Sequence, residues 1–74
     1  MKKLTGKWLE YSANDLAAAR TLYQSSKPSF EIIAYHCQQS AEKNLKAILI
    51  EHNLTVPRTH GLKIVLQETS KISD

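Results

Sequence analysis

Seventy-four residues with ten basic and seven acidic side chains allow one domain of net charge +3. A stretch of this length holds one domain, and its mild charge falls short of the dense basic patch of a dedicated nucleic-acid binder. A single cysteine, Cys37, cannot form an internal disulfide, so nothing points to a secreted scaffold. A chain of this size buries only about 60 % of the surface it exposes when unfolded, and such a marginal core commonly gains stability by packing on a copy of itself or on a partner.

At the N-terminus Met1-Lys2-Lys3-Leu4-Thr5-Gly6-Lys7 is basic, but no apolar run follows: Trp8 onward is punctuated by Glu10, Asn14 and Asp15. No signal peptide is expected here. The longest apolar stretch, Ala47 to Ile50, is far too short to span a bilayer, so no membrane association and a cytoplasmic location are expected. The basic excess lies in Lys2, Lys3 and Lys7 and in the ridge of Lys43 and Lys46, read as a solvated face unless the two clusters prove adjacent.

The first predicted helix runs from about Thr5 to Ser25, free of Gly and Pro after Gly6 and rich in Ala and Leu. Trp8, Leu9, Leu16, Ala19, Leu22 and Tyr23 recur at helical spacing. Ser12 and Asp15 break that stripe, and Asp15 must tilt to water or find a donor, because a buried unpaired charge is costly. Ser25-Ser26-Lys27-Pro28-Ser29 is the turn, with Pro28 disfavouring helical geometry at Lys27 and Ser29 an N-cap with Glu31 in the turn that follows. A connection this short makes the flanking helices antiparallel neighbours.

The second predicted helix, Phe30 to about His52, carries the strongest pattern. Phe30, Ile33, Ala34, Cys37, Ala41, Leu45, Ile48 and Leu49 form one broad apolar face, and Tyr35, Gln39, Glu42, Lys43 and Lys46 occupy the others. Glu42 precedes Lys46 by four residues, the favourable orientation for a surface ion pair of about 0.2–0.5 kcal/mol. Ala41 is small enough for another helix to approach closely, and a helix of this length, about 35 Å, outlasts its partner and reaches a second subunit. Asn53 is the expected stop and Leu54 to Arg58 a loop, with Pro57 extending Val56. A third helix is predicted from Thr59 or His60, burying Leu62, Val65, Leu66 and Thr69, with Ile72 continuing it.

Chemistry-bearing motifs are sparse. His36, Cys37, His52 and His60 show neither the ligand spacings nor the HExxH pattern of a zinc site, so no metal is expected. Cys37 lies on the apolar face, where a thiol is inert packing, and His36 beside it points elsewhere on a helix. Gly6 and Gly61 are isolated and build no phosphate loop.

One pattern is specific. The stretch His36-Cys37-Gln38-Gln39-Ser40-Ala41-Glu42-Lys43-Asn44-Leu45-Lys46-Ala47-Ile48-Leu49 resembles the central helix of HEPN domains, whose core reads Gln-Gln-x-x-Glu-Lys-x-Leu-Lys. Trp8 followed by Asn14-Asp15-Leu16 and Ala19 resembles the family's first helix, and Arg58-Thr59-His60-Gly61-Leu62 its Thr-His-x-Leu start of the third. The three blocks keep the family's order and cover nearly the whole chain, residues 1–74, as one HEPN-like domain.

The resemblance implies an all-α fold: an antiparallel helical hairpin plus a third helix, an up-and-down bundle completed by dimerisation. The family's C-terminal helix is missing from this stretch, so a short or truncated member is expected. The resemblance further implies a homodimerising binding module, partnered by a minimal nucleotidyltransferase in a toxin–antitoxin-like pair and able to bind a nucleotide. The alternative is a ribonuclease toxin acting on RNA. The ribonuclease members depend on an Arg, a short spacer and a His; here Arg58 and His60 are separated by only one residue and Arg20 has no such His, so the balance is against an enzyme, and no cofactor is expected. Asp15, Gln39, Glu42, Lys43, Lys46 and His60 match the family's recurrent polar positions, and Gly61 replaces a common acidic one. Of these, Asp15, Gln39, Lys43, Lys46 and His60 are the candidate nucleotide- or phosphate-binding residues. The structural reading, which is preferred, makes Asp15 an interhelical tie to a Lys or Gln, Glu42–Lys46 a surface pair and His60 a helix cap.

Overall fold

The computed structural model of the chain describes residues 1–56 and residue 67. Two helices carry this part, α1 (Lys3–Tyr23) and α2 (Phe30–Glu51), and no strand occurs among the described residues. The fold is all-α, as expected. The third helix expected from Thr59 or His60, and His60 itself, lie outside the described residues.

Helix α1 starts two residues before the expected Thr5, because Lys2 in extended geometry already offers its carbonyl to the Gly6 N–H. It ends at Tyr23, two residues short of Ser25: the Ser25 hydroxyl turns back onto the Leu22 carbonyl at 2.6 Å, satisfying one of the orphaned acceptors at the C-terminus. Arg20 in the last turn complements the negative end of the helix. Helix α2 begins where the sequence places it. Ser29 is extended and its hydroxyl accepts from the Ile32 N–H, with Glu31 in the first turn.

Asn53 ends α2 in the left-handed region, at φ 59°, a conformation that Asn tolerates better than most residues. The Leu54 N–H reaches the Leu49 carbonyl at 2.8 Å and the Asn53 N–H that of Ile50 at 3.1 Å, the paired bonds of a Schellman stop. The N-terminus of α1 clasps this end. The Lys2 backbone N–H and the Thr5 hydroxyl both donate to Glu51 Oε1 at 2.9 Å, and the Lys2 ammonium bonds the Ile50 carbonyl and the Asn53 side chain. The Lys2 N–H first, then Thr5, hold the Glu51 carboxyl below its ordinary value against a small opposing effect of burial.

The cross-helix partners run in opposite order along the two helices, Thr5 with Glu51, Ser12 with Ser40 and Asp15 with His36, so the hairpin is antiparallel. What lies between the helices differs from the expected apolar stripe. On α1 the buried residues are Thr5, Ser12 and Ala19; on α2 they are Ser40, Glu42, Lys46, Ala47 and Leu49. Ser12 Oγ donates to the Ser40 carbonyl at 2.8 Å and lies 2.9 Å from Ser40 Oγ, which brings the two backbones close. Of the apolar face expected on α2 only Leu49 is buried; Phe30, Ala34, Cys37, Ala41 and Ile48 are exposed. On α1, Leu9, Leu16 and Tyr23 are exposed while Ala19 alone of the expected stripe is buried.

The cause is size. Small side chains at Ser12, Ala19, Ser40 and Ala47 recur at heptad spacing and let the helices meet closely there, which turns the bulkier stripes outward. Replacing Ser12 by Ala deletes the buried bridge to Ser40 and is expected to lower stability by about 1 kcal/mol, read as a lower urea midpoint with an unchanged m-value.

Candidate functional site

One turn beyond the serine bridge the seam becomes ionic. The Asp15 carboxylate, 12 % exposed, has Oδ1 2.9 Å from His36 Nδ1 and Oδ2 2.5 Å from the Lys43 ammonium, both partners being 27 % exposed. His36 and Lys43 stand seven residues apart on α2, so both project from one side of the helix and a single carboxylate on α1 meets them together. The expected Asp15 tie to a lysine is thus present, with Lys43 as the lysine, and His36 is an additional partner. Burial pushes the Asp15 carboxyl up, but the hydrogen bonds from Lys43 and His36, reinforced by their charge, outweigh it and hold the group below its ordinary value of 3.8.

With Nδ1 donating to the carboxylate, Nε2 is the ring nitrogen left to accept in the neutral imidazole or to donate in the imidazolium. Tyr35 leans edge-on against the ring, centroids 5.5 Å apart. Gln39 lies between His36 and Lys43 on the helix, one turn from each, and is half-buried. These groups form a polar edge with hydrogen-bonding capacity toward solvent, and the charge of Lys43 is matched by Asp15.

Lys46 and Glu42 sit further along the same seam. The Lys46 ammonium is 3.2 Å from Glu42 Oε1, with side chains only 5 % and 1 % exposed, so the pair expected at the surface is buried. Trp8 of α1 is the reason on one side: the Lys46 ammonium lies 5.2 Å from its ring centroid, a cation–π arrangement, and Tyr11 packs edge-on against Trp8 at 5.8 Å. Lys46 thus faces inward against Trp8, while Lys2, Lys3 and Lys7 are exposed. Among the candidate binding residues, Asp15, Gln39 and Lys43 share one edge, Lys46 is buried beside it, and His60 falls outside the described residues.

Sequence reasoning treated His36 as an edge residue and missed both its role and the serine bridge. The signal was present. Thr5, Trp8, Ser12, Asp15, Ala19 and Leu22 on α1, with His36, Ser40, Lys43, Ala47 and Ile50 on α2, keep alternating spacings of three and four, the periodicity of a helix–helix seam written in small and polar residues. No group of three or more His, Cys, Asp or Glu side chains among the described residues is placed to hold a metal ion, and no described helix is long and apolar enough to cross a membrane.

The family model for the HEPN domain matches residues 5–74. Comparison with curated proteins and with solved structures gave no match.

Two outcomes follow from the ionic seam. Asp15→Asn is expected to cost about 1–3 kcal/mol at neutral pH. Because the carboxyl is held below 3.8 in the folded chain, its contribution is complete above that value and fades as the pH falls through the lowered one; wild-type and variant urea midpoints should converge on acidification. Lys46→Met removes the ammonium beside a buried carboxylate and is expected to cost about 1.5–3 kcal/mol, read as a lower midpoint in a urea titration.

Proposed function

The chain belongs to the HEPN domain family, and from that premise we propose that it is a non-catalytic binding and dimerisation module, serving a nucleotidyltransferase-like partner in a toxin–antitoxin-like pair in the cytoplasm. The observation that carries this is the inversion of the hairpin: its seam is polar, and Phe30, Leu16, Tyr23 and Ile48 stand exposed on the outside, Phe30 at 70 % and Tyr23 at 66 %. Leu16 and Tyr23 also line one apolar groove with Ile33 and Cys37, and an exposed apolar patch marks a protein–protein contact. The expected third helix and a second subunit complete the bundle in this reading. Catalysis is disfavoured in this reading because Asp15, the carboxylate at the polar edge, is engaged by both Lys43 and His36.

A second reading, nucleotide binding, draws support from the polar edge itself, where Lys43, His36 and Gln39 offer hydrogen-bonding groups to an anion. Lys43 would have to exchange Asp15 for phosphate, which makes such binding modest in strength.

Sedimentation at micromolar concentration tests the first reading: a dimer is expected, and a stable monomer would count against it. Total RNA should remain intact on incubation with the chain; cleavage that disappears in a His60→Ala control would instead establish the ribonuclease alternative. For the second reading, ATP should raise the melting temperature of the wild type and leave that of Lys43→Ala unchanged.

A further inference from the structure

Beside the polar seam a second heptad ridge runs along the outer side of α2. Phe30, Ala34, Cys37, Ala41 and Ile48 follow one another at spacings of four, three, four and seven residues, with Asn44 filling the step between Ala41 and Ile48, and all six are exposed. This is the spacing of a seam that meets another helix. Next to the ridge, between α1 and α2, lies an apolar groove of about 280 Å³ lined by Leu16, Ala19, Arg20, Tyr23, Ile33 and Cys37.

We infer that a second copy of the chain occupies this face, its α2 antiparallel to the first and crossing at Ala41, so that Ile48 of each protomer seats in the Leu16–Ile33–Cys37 groove of the other. The inference rests on the proposed dimerisation and adds to it the surface, the axis and the interlocking residue.

Three observations converge on that arrangement. The first is register. From Ala41 to Ile48 is seven residues, about 10 Å along a helix, and a two-fold axis at Ala41 carries Ile48 to the level of Ala34, between the Ile33 and Cys37 that line the groove. A side chain that projects from the ridge and a hollow that would receive it therefore stand on opposite sides of the smallest residue near the ridge centre, as a self-complementary interface requires. The second is area. Phe30, Tyr23, Leu16 and Ile48 are 70 %, 66 %, 49 % and 40 % exposed; with the small residues between them they present on the order of 600 Å² a protomer, and two such faces reach the lower range of specific interfaces. The third is charge. The groove rim carries one cation, Arg20, and the same axis brings it toward the exposed Glu51 at the far end of the other α2, so the apolar centre is bordered by opposite charges.

The full chain allows a direct test. Ala41 is exposed, so Ala41→Arg should leave the helical circular dichroism unchanged while weakening association by roughly a hundredfold or more, because two like charges are forced together at the axis. In the Cys37→Ser background, Ala41→Cys should oxidise to a covalent dimer. The wild-type Cys37 pair should not, being displaced by eight residues, about 12 Å along the helices, beyond disulfide reach. A dimer that survives Ala41→Arg, or one that cross-links through Cys37 and not through position 41, would overturn the inference and leave the proposed dimerisation standing on another surface. A wild-type chain that sediments as a monomer would overturn both.

Discussion

The structure depends on how closely α1 and α2 approach at Ser12 and Ser40. A hydroxyl that reaches both the carbonyl and the hydroxyl of the opposite residue fixes the distance between the helices and the rotation of each about its axis. Once that rotation is set, the residues three, four and seven positions from Ser12 follow: Asp15 meets His36 and Lys43, Trp8 covers Lys46, and Thr5 meets Glu51. The same rotation turns Phe30, Ala41 and Ile48 to the outside. Apolar burial between these two helices is slight, with Ala19, Ala47 and Leu49 the only buried hydrophobic residues described. Most of the hairpin's specificity therefore lies in hydrogen bonds and ion pairs, which define geometry sharply and contribute modest net stability.

Helix bounds were legible because their determinants are local. Ser29 before Phe30, Pro28 before Ser29, and Asn53 after the last turn act through backbone geometry within a few residues, and α2 begins and ends within two residues of Ser29 and Asn53. The orientation of each helix was less legible. Broad apolar periodicity on α2 indicated that some face seeks cover, and it was natural to turn that face toward α1. The contact instead uses the narrower pattern of small and polar residues, since close approach of two backbones favours Ser and Ala over Phe and Ile. Asp15 was recognised as needing a donor, and Lys43 was a candidate for it. His36 is legible only through the seven-residue step to Lys43, which puts both on one side of α2.

The candidate site shows how electrostatic satisfaction limits chemistry. A carboxylate that accepts from both an imidazole and an ammonium has little remaining basicity, and its main effect is to hold two helices in register. Lys46, the other cation on this side of α2, is taken up by Glu42 and the Trp8 ring. What the family pattern of polar residues encodes in this chain is therefore first an internal scaffold, with Lys43 and His36 as the members that keep an outlook to solvent.

The clasp at the open end of the hairpin bears on the order in which the molecule assembles. Lys2 and Glu51 are 49 positions apart in the chain, whereas the Ser29 cap and the turn before α2 involve near neighbours. The entropy of closing the longer loop is recovered only after the helices have zipped from the turn outward. The clasp is thus a late fastening. Interactions formed after the rate-limiting barrier govern how fast the native state comes apart rather than how fast it forms, so the grip of Lys2 on Glu51 and Asn53 slows the opening of the hairpin's free end and leaves its speed of formation to the turn.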